Sequence, residues 1–239
     1  MSKLAEKMRT LNKKVEKKSL TQRAYNEIKE AIIMGEFKPG ETLSSNLLAE
    51  TLSMSRTPIR EALKELATED LVDISPKREA TVKSISQADL EDIYELREVL
   101  ETKAAETAIK NIDPSELARL RGQWLKYLEK AQVDKKMELN EISKADSALH
   151  NYIIQKCDNL RLRSIMENLR LHSLRYQRLA AITLADPANT IQQHLEIIDA
   201  LEEGDVAQLK SILIQHMEDA KDLIINKGSV EIFGRDFTQ

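Results

Sequence analysis

The stretch "SRTPIREALKEL", residues 55–66, decides how the N-terminal third of the chain is read. Ile59, Leu63 and Leu66 recur at a spacing that puts them on one face of a helix. Ser55 can cap its start, which places Pro58 in the first turn, where a missing N–H costs no intrahelical bond. Arg56 and Arg60 then lie four apart on the open side. The guanidinium fork pairs bidentately with guanine edges or with phosphate, so such a helix is shaped to meet a polyanion. The alternative is a solvated helix whose arginines pair with Glu61 or Glu65.

Upstream, "LTQRAYNEIKEAIIMGEF" carries apolar residues at 20, 24, 28, 31, 32 and 33, again at helical spacing. Thr21 can cap its start and Gly35 can end it. "KPGETL" reads as a turn, and "SNLLAETLSM" as a second, shorter helix presenting Leu47, Leu48, Ala49 and Leu52 for packing. Downstream, Leu71–Ser75 and Thr81–Ile85 alternate around "PKREA" and read as a two-stranded hairpin. Three helices and then a hairpin is the order of a winged helix-turn-helix. In that fold the third helix enters the major groove of double-stranded DNA with its N-terminal residues at base edges.

Composition agrees with a mostly helical protein of one large or two modest domains. The 239 residues include only six glycines and five prolines, and 41% are apolar. The formal charge of −4 is unevenly spread. Residues 1–85 hold 16 Lys/Arg against 13 Asp/Glu, and residues 86–239 hold 20 against 27. A basic first part and an acidic second part suggest that only the first meets nucleic acid. No stretch is long and apolar enough to span a bilayer, and the basic N-terminus lacks the apolar core of a secretory signal. The single cysteine, Cys157, excludes an internal disulfide framework and fits a reducing cytoplasm.

"LSSNLLAETLSMSRTPIREALKELATEDLV" closely resembles the DNA-binding domain of the GntR family of bacterial regulators. The resemblance implies DNA contacts from Arg56, Thr57 and Arg60. Two departures stand out. Ser45 and Asn46 occupy places where the family often has an acidic residue and an arginine. The wing tip reads Arg78-Glu79-Ala80 where the family usually has Arg-Gly-Ala, so Lys77 and Arg78 are expected to take over the wing contact.

Residues 86–235 read as a bundle of about six helices without strands. Ser86 and Asp89 look like a capping box, and Asp113-Pro114 with Glu116 like a second helix start. Leu90, Ile93, Leu96, Leu100 and Ala104 form an apolar stripe, and Gly204 and Gly228 fit helix ends. All four histidines, His150, His172, His194 and His216, fall in this part. His194 is read at the beginning of a helix. Asp146 precedes His150 by one turn. Three helices can thus each offer an imidazole to one interior point beside a carboxylate, a donor set suited to Zn, Ni, Mn or Fe. Alternatively, each histidine is a hydrogen-bonded residue at the edge of the core.

This part resembles the helical FCD domain, the effector domain of the FadR-like branch of the GntR family. The resemblance implies a divalent metal, zinc first, with Ni, Mn or Fe as alternatives. Its ligands would be Asp146 and His150 in "DSALH", His194 in "QHLEIIDALEEGD" and His216 in "ILIQHM". His172 matches no ligand position. The resemblance also implies a small organic-acid or sugar-acid effector held by the metal and an arginine: Arg97 first, then Arg175 and Arg178. The alternative for Arg97 is a salt bridge to Glu101 or Glu106.

The expected protein is therefore mainly α, with a basic extension over 1–19, a winged helix-turn-helix over 20–85 and an FCD bundle over 86–235. It is read as a cytoplasmic, homodimeric transcription regulator that binds a palindromic operator. The competing readings are a metalloenzyme using the same His/Asp set and an FCD dimerisation module that no longer binds an effector.

Overall fold

The computed structural model describes residues 19–76, 79–133, 137–179, 183–184 and 187–232. The chain divides at Ser84/Ile85 into two compact units.

In the first unit, α1 covers residues 19–33. Ala24, Ile28, Ile32 and Ile33 bury its apolar stripe. The helix already includes Thr21, which therefore does not cap it. Gly35 ends it at φ 75°, a left-handed conformation open to glycine, with Glu36 N–H donating to Ala31 C=O. Helix α2 is Ser45–Thr51, capped by Ser44 rather than from within, and α3 is Arg56–Thr68. Pro58, Ile59, Ala62, Leu63 and Leu66 are the buried face of α3.

The wing differs from a simple hairpin. Strands β2 (Val72–Ile74) and β3 (Ala80–Val82) pair as expected, but β1 (Thr42–Leu43) joins β3 on its other side. "KPGETL" thus ends in a strand, because Leu43 alternates inward and is buried against the same small core. The expected wing contacts Lys77 and Arg78 lie outside the described residues.

The second unit contains α4 (Gln87–Ala108), α5 (Pro114–Val133), α6 (Leu139–Lys156), α7 (Leu160–Leu179), α8 (Pro187–Glu203) and α9 (Val206–Ile232). Helix α4 is central and packs against α6, α7 and α9, while α5 lies against α8. Ser86 Oγ accepts from Asp89 N–H, and Asp113 Oδ1 accepts from Ser115 and Glu116 N–H, so both expected caps form. Four features depart from the sequence reading. The bundle is not strand-free: β4 (Met137–Glu138) pairs antiparallel with β5 (Thr183–Leu184). Gly204 ends α8 at φ 76°, but α9 runs straight through Gly228. His194 lies in the middle of α8 rather than at its start. The core-facing stripe of α4 also excludes Leu96, which is 51% exposed, and includes the charged Arg97 and Glu101.

Candidate metal centre and DNA-binding surface

Arg56, Thr57 and Arg60 are all exposed, while Pro58 and Ile59 between them are buried. Pro58 anchors the first turn of α3 to the core and leaves its flanking side chains outward. Glu61 bonds Lys64 at 3.0 Å, and no carboxylate among the described residues pairs with Arg56 or Arg60. The open side of α3 therefore keeps two uncompensated cations. At the wing, Ser75 N–H donates to Glu79 C=O at 2.9 Å and Glu79 N–H to Ser75 Oγ at 3.2 Å. Glu79 closes the turn through its backbone and leaves its carboxylate exposed.

In the helical unit, α6 brings Asp146 and His150 onto one face, and α8 and α9 bring His194 and His216 to the same point. One donor atom from each of the four lies within 4.8 Å of every other. The three Nε2 atoms ring Asp146 Oδ1: His194 at 3.2 Å, His150 at 3.6 Å and His216 at 3.8 Å. All three imidazoles are buried, and Asp146 has a side chain 14% exposed.

The opposite ring nitrogens are tied down. His150 Nδ1 lies 2.6 Å from Glu101 Oε2, His194 Nδ1 2.7 Å from Thr190 C=O, and His216 Nδ1 3.2 Å from Gln193 Oε1. The carboxylate of Glu101 only accepts, so His150 carries a proton on Nδ1, whereas His194 sits between two acceptors, the Thr190 carbonyl at Nδ1 and Asp146 Oδ1 at Nε2. Gln193 Oε1 takes the acceptor's part toward His216 Nδ1. The His150 lone pair then sits on Nε2, and the Nε2 atoms of all three rings face the common point. His150 Nε2 is buried and makes no hydrogen bond, so it faces the common point as an unmet acceptor. Trp124, fully buried on α5, stacks on His194 with ring centroids 3.9 Å apart and planes 15° from parallel.

The electrostatics favour neutral imidazoles around an anion. Burial pushes His150, His194 and His216 below the usual histidine range. Burial alone would raise Asp146, but the neighbouring histidines and Arg170 outweigh it and hold the carboxyl well below its usual range. Neutral imidazoles and an ionised carboxylate are the protonation states a divalent cation requires, so this His/Asp cluster can bind a metal.

Arg97 is buried and charged. Burial opposes its charge, but Glu101 outweighs that cost and raises its pKa. Its Nε and Nη2 each lie 2.9 Å from Glu101 Oε1, and Nη1 donates to Ser173 Oγ at 2.6 Å. The salt bridge to Glu101 is thus formed, and Arg97 also lines a small polar cavity with Asp146, Arg170, Ser173 and Gln177. Arg175 is buried on α7 and Arg178 half-buried, and neither lines that cavity. His172 is buried outside the ligand cluster.

Three residues of the site escaped the sequence reading. Arg170 donates to Asp146 Oδ2 at 3.3 Å, Glu101 backs His150, and Trp124 shelves His194. Each arrives from a helix distant in sequence. The one local signal was the four-residue spacing of Arg97 and Glu101, which named the pair without showing what else it touches.

Known proteins agree with both halves. Residues 20–82 match the family "Bacterial regulatory proteins, gntR family", and residues 92–219 match the "FCD domain". The chain is 30% identical to an HTH-type transcriptional regulator in an unstable DNA locus of Streptomyces ambofaciens, over 89% of each chain. It is likewise 30% identical to the gluconate operon transcriptional repressor of Bacillus subtilis, over 87% of this chain and 86% of that one. Among solved structures, McbR/YncC of Escherichia coli superposes with a TM-score of 0.73 at 26% identity, covering 87% of this chain and 97% of that one. Exposed arginines on a third helix before a wing, joined to a six-helix unit, thus carry both family signatures: the chain belongs to the gntR family of bacterial regulatory proteins, with an FCD domain as its second unit, and is a DNA-binding transcription regulator rather than an enzyme.

Proposed function

We propose that this regulator senses a small organic acid or sugar acid at a divalent metal in its helical unit and binds a palindromic operator as a homodimer. The observation that carries the reading is the convergence of three Nε2 atoms on Asp146, each imidazole held from behind at Nδ1. Asp146, His150, His194 and His216 would hold the metal. Zinc is the first choice and Ni, Mn or Fe the alternatives, since imidazole and carboxylate donors suit all four. When bound, the metal supplies positive charge and open positions for a carboxylate oxygen. Arg97 and Arg170 flank the adjoining cavity, and since Glu101, Ser173, Asp146 and Asn151 already engage their guanidinium groups, a second acidic oxygen would have to displace one of these partners. Arg175 and Arg178 are reserve anchors. Similarity to a gluconate operon repressor supports the sugar-acid class.

At the operator, Arg56, Thr57 and Arg60 would enter the major groove, with Lys77 and Arg78 reaching from the wing. Two such units on a dimer suit a palindrome. Exposed Leu96 and Val99 on α4 offer apolar surface for a second copy.

Elemental analysis of purified protein tests the reading. About one divalent ion per chain is expected, lost in His194→Ala and His216→Ala, with a mass in sedimentation of two chains. Wild-type protein that has never met a chelator and holds no metal contradicts the site. Equal metal content in both variants contradicts the ligand assignment.

A further inference from the structure

Among the described residues, Glu101 is the one carboxylate that meets a metal-ligand candidate from behind. Its side chain is 3% exposed, and its two oxygens have different tasks. Oε1 accepts from Arg97 Nε at 2.9 Å and faces Arg170 Nη1 at 3.6 Å. Oε2 accepts from His150 Nδ1 at 2.6 Å. A plain Arg97–Glu101 ion pair needs no imidazole, and a bidentate one would spend both oxygens on the guanidinium. Here Arg97 reaches only Oε1, and its third nitrogen is taken by Ser173. The second oxygen is free to orient His150.

The other two imidazoles are held by uncharged oxygens, the Thr190 carbonyl and the Gln193 side-chain amide. Only His150 is backed by a full negative charge. Its Nε2 is also the one imidazole Nε2 of the cluster that is buried without a hydrogen bond. The ring backed by a full charge therefore presents the unsatisfied Nε2.

We propose that Glu101 is a positioning residue of the metal site. It fixes the tautomer and ring plane of His150 and strengthens Nε2 as a donor, while Arg97 and Ser173 hold Glu101 in place. This rests on the metal reading above. It gives α4 a part in the site although α4 supplies no ligand, and it links Arg97 to the metal through two hydrogen bonds.

Co2+ titrated into metal-stripped full-length protein, in competition with a chromophoric chelator, tests the proposal. Glu101→Gln is expected to weaken Co2+ binding by about 10–100-fold, the usual loss when an outer partner of a metal-bound histidine is removed. The visible absorption of bound Co2+ is expected to shift with it. If Glu101→Gln leaves Arg97 unpaired and the chain does not fold, the neutral pair Arg97→Met with Glu101→Gln removes both charges and is expected to show the same loss. Unchanged affinity and an unchanged spectrum in a folded variant overturn the role of Glu101 and leave the metal site standing. Wild-type protein that takes up no Co2+ overturns the metal reading and this proposal with it. Independently of any metal, nitrogen NMR of the stripped protein at neutral pH is expected to find the His150 proton on Nδ1; a proton on Nε2 overturns the proposal.

Discussion

Arg56 and Arg60 stand one turn apart on the open side of α3 with no partner among the described carboxylates. Replacing either with Ala is expected to weaken operator binding by roughly 1–3 kcal/mol if it makes a bidentate base contact. Operator titration at fixed salt reads this, and wild-type affinity in both variants would remove α3 from the groove. The buried histidines give a pH dependence whose sign follows from burial. His150, His194 and His216 have depressed pKa values when folded, whereas the unfolded chain takes up protons near the ordinary 6.5. Between those values the unfolded state binds more protons. Stability of the metal-free protein is therefore fully present above about 6.5 and is lost as the pH falls further. Urea midpoints at pH 7.5 and 5.5 are expected to differ in that direction, and equal midpoints would contradict neutral burial. The four ligand candidates were legible in the sequence because they sit in three short motifs that resemble those of the FCD domain. Arg170 and Trp124 were not, because their roles exist only where α7 meets α6 and where α5 meets α8.

At the scale of elements, caps were readable in part, since a cap is a contact between residues two or three apart: Ser86 and Asp113 cap their helices, but Ser55 stands before α3 without a side-chain hydrogen bond and Thr21 lies inside α1. Ser86 Oγ accepting from Asp89 N–H is such a contact. Ser86→Ala is expected to cost about 1 kcal/mol of stability in urea unfolding. An unchanged midpoint would mean that Tyr176, whose hydroxyl meets both the Ser86 backbone and Asp89, holds the start of α4 alone. Strands were less readable. Thr42–Leu43 and Met137–Glu138 are two residues each, too short for any alternation, and their partners lie far along the chain. The α4 stripe was misread at Leu96 for a related reason. Helical spacing predicts a face, but the bundle closes over the neighbouring stretch, where Arg97 and Glu101 are drawn inward by Ser173 and His150. Apolar periodicity contains no trace of a buried ion pair.

At the scale of the whole molecule, the charge split has a physical sense. The first unit carries the excess cations a polyanion requires, and the acidic second unit would repel an anionic effector except at a local positive focus. The proposed metal, Arg97 and Arg170 would supply that focus. An effector regulates only if it binds two states of the protein unequally, and a ligand held jointly by the metal and α4 has contacts through which to do so. Titration calorimetry of hydroxy acids and sugar acids into metal-loaded and metal-stripped protein tests this most directly. The account predicts saturable binding of at least one such acid to the loaded protein and its loss on stripping, with helical content retained. Equal affinity in both forms would contradict it.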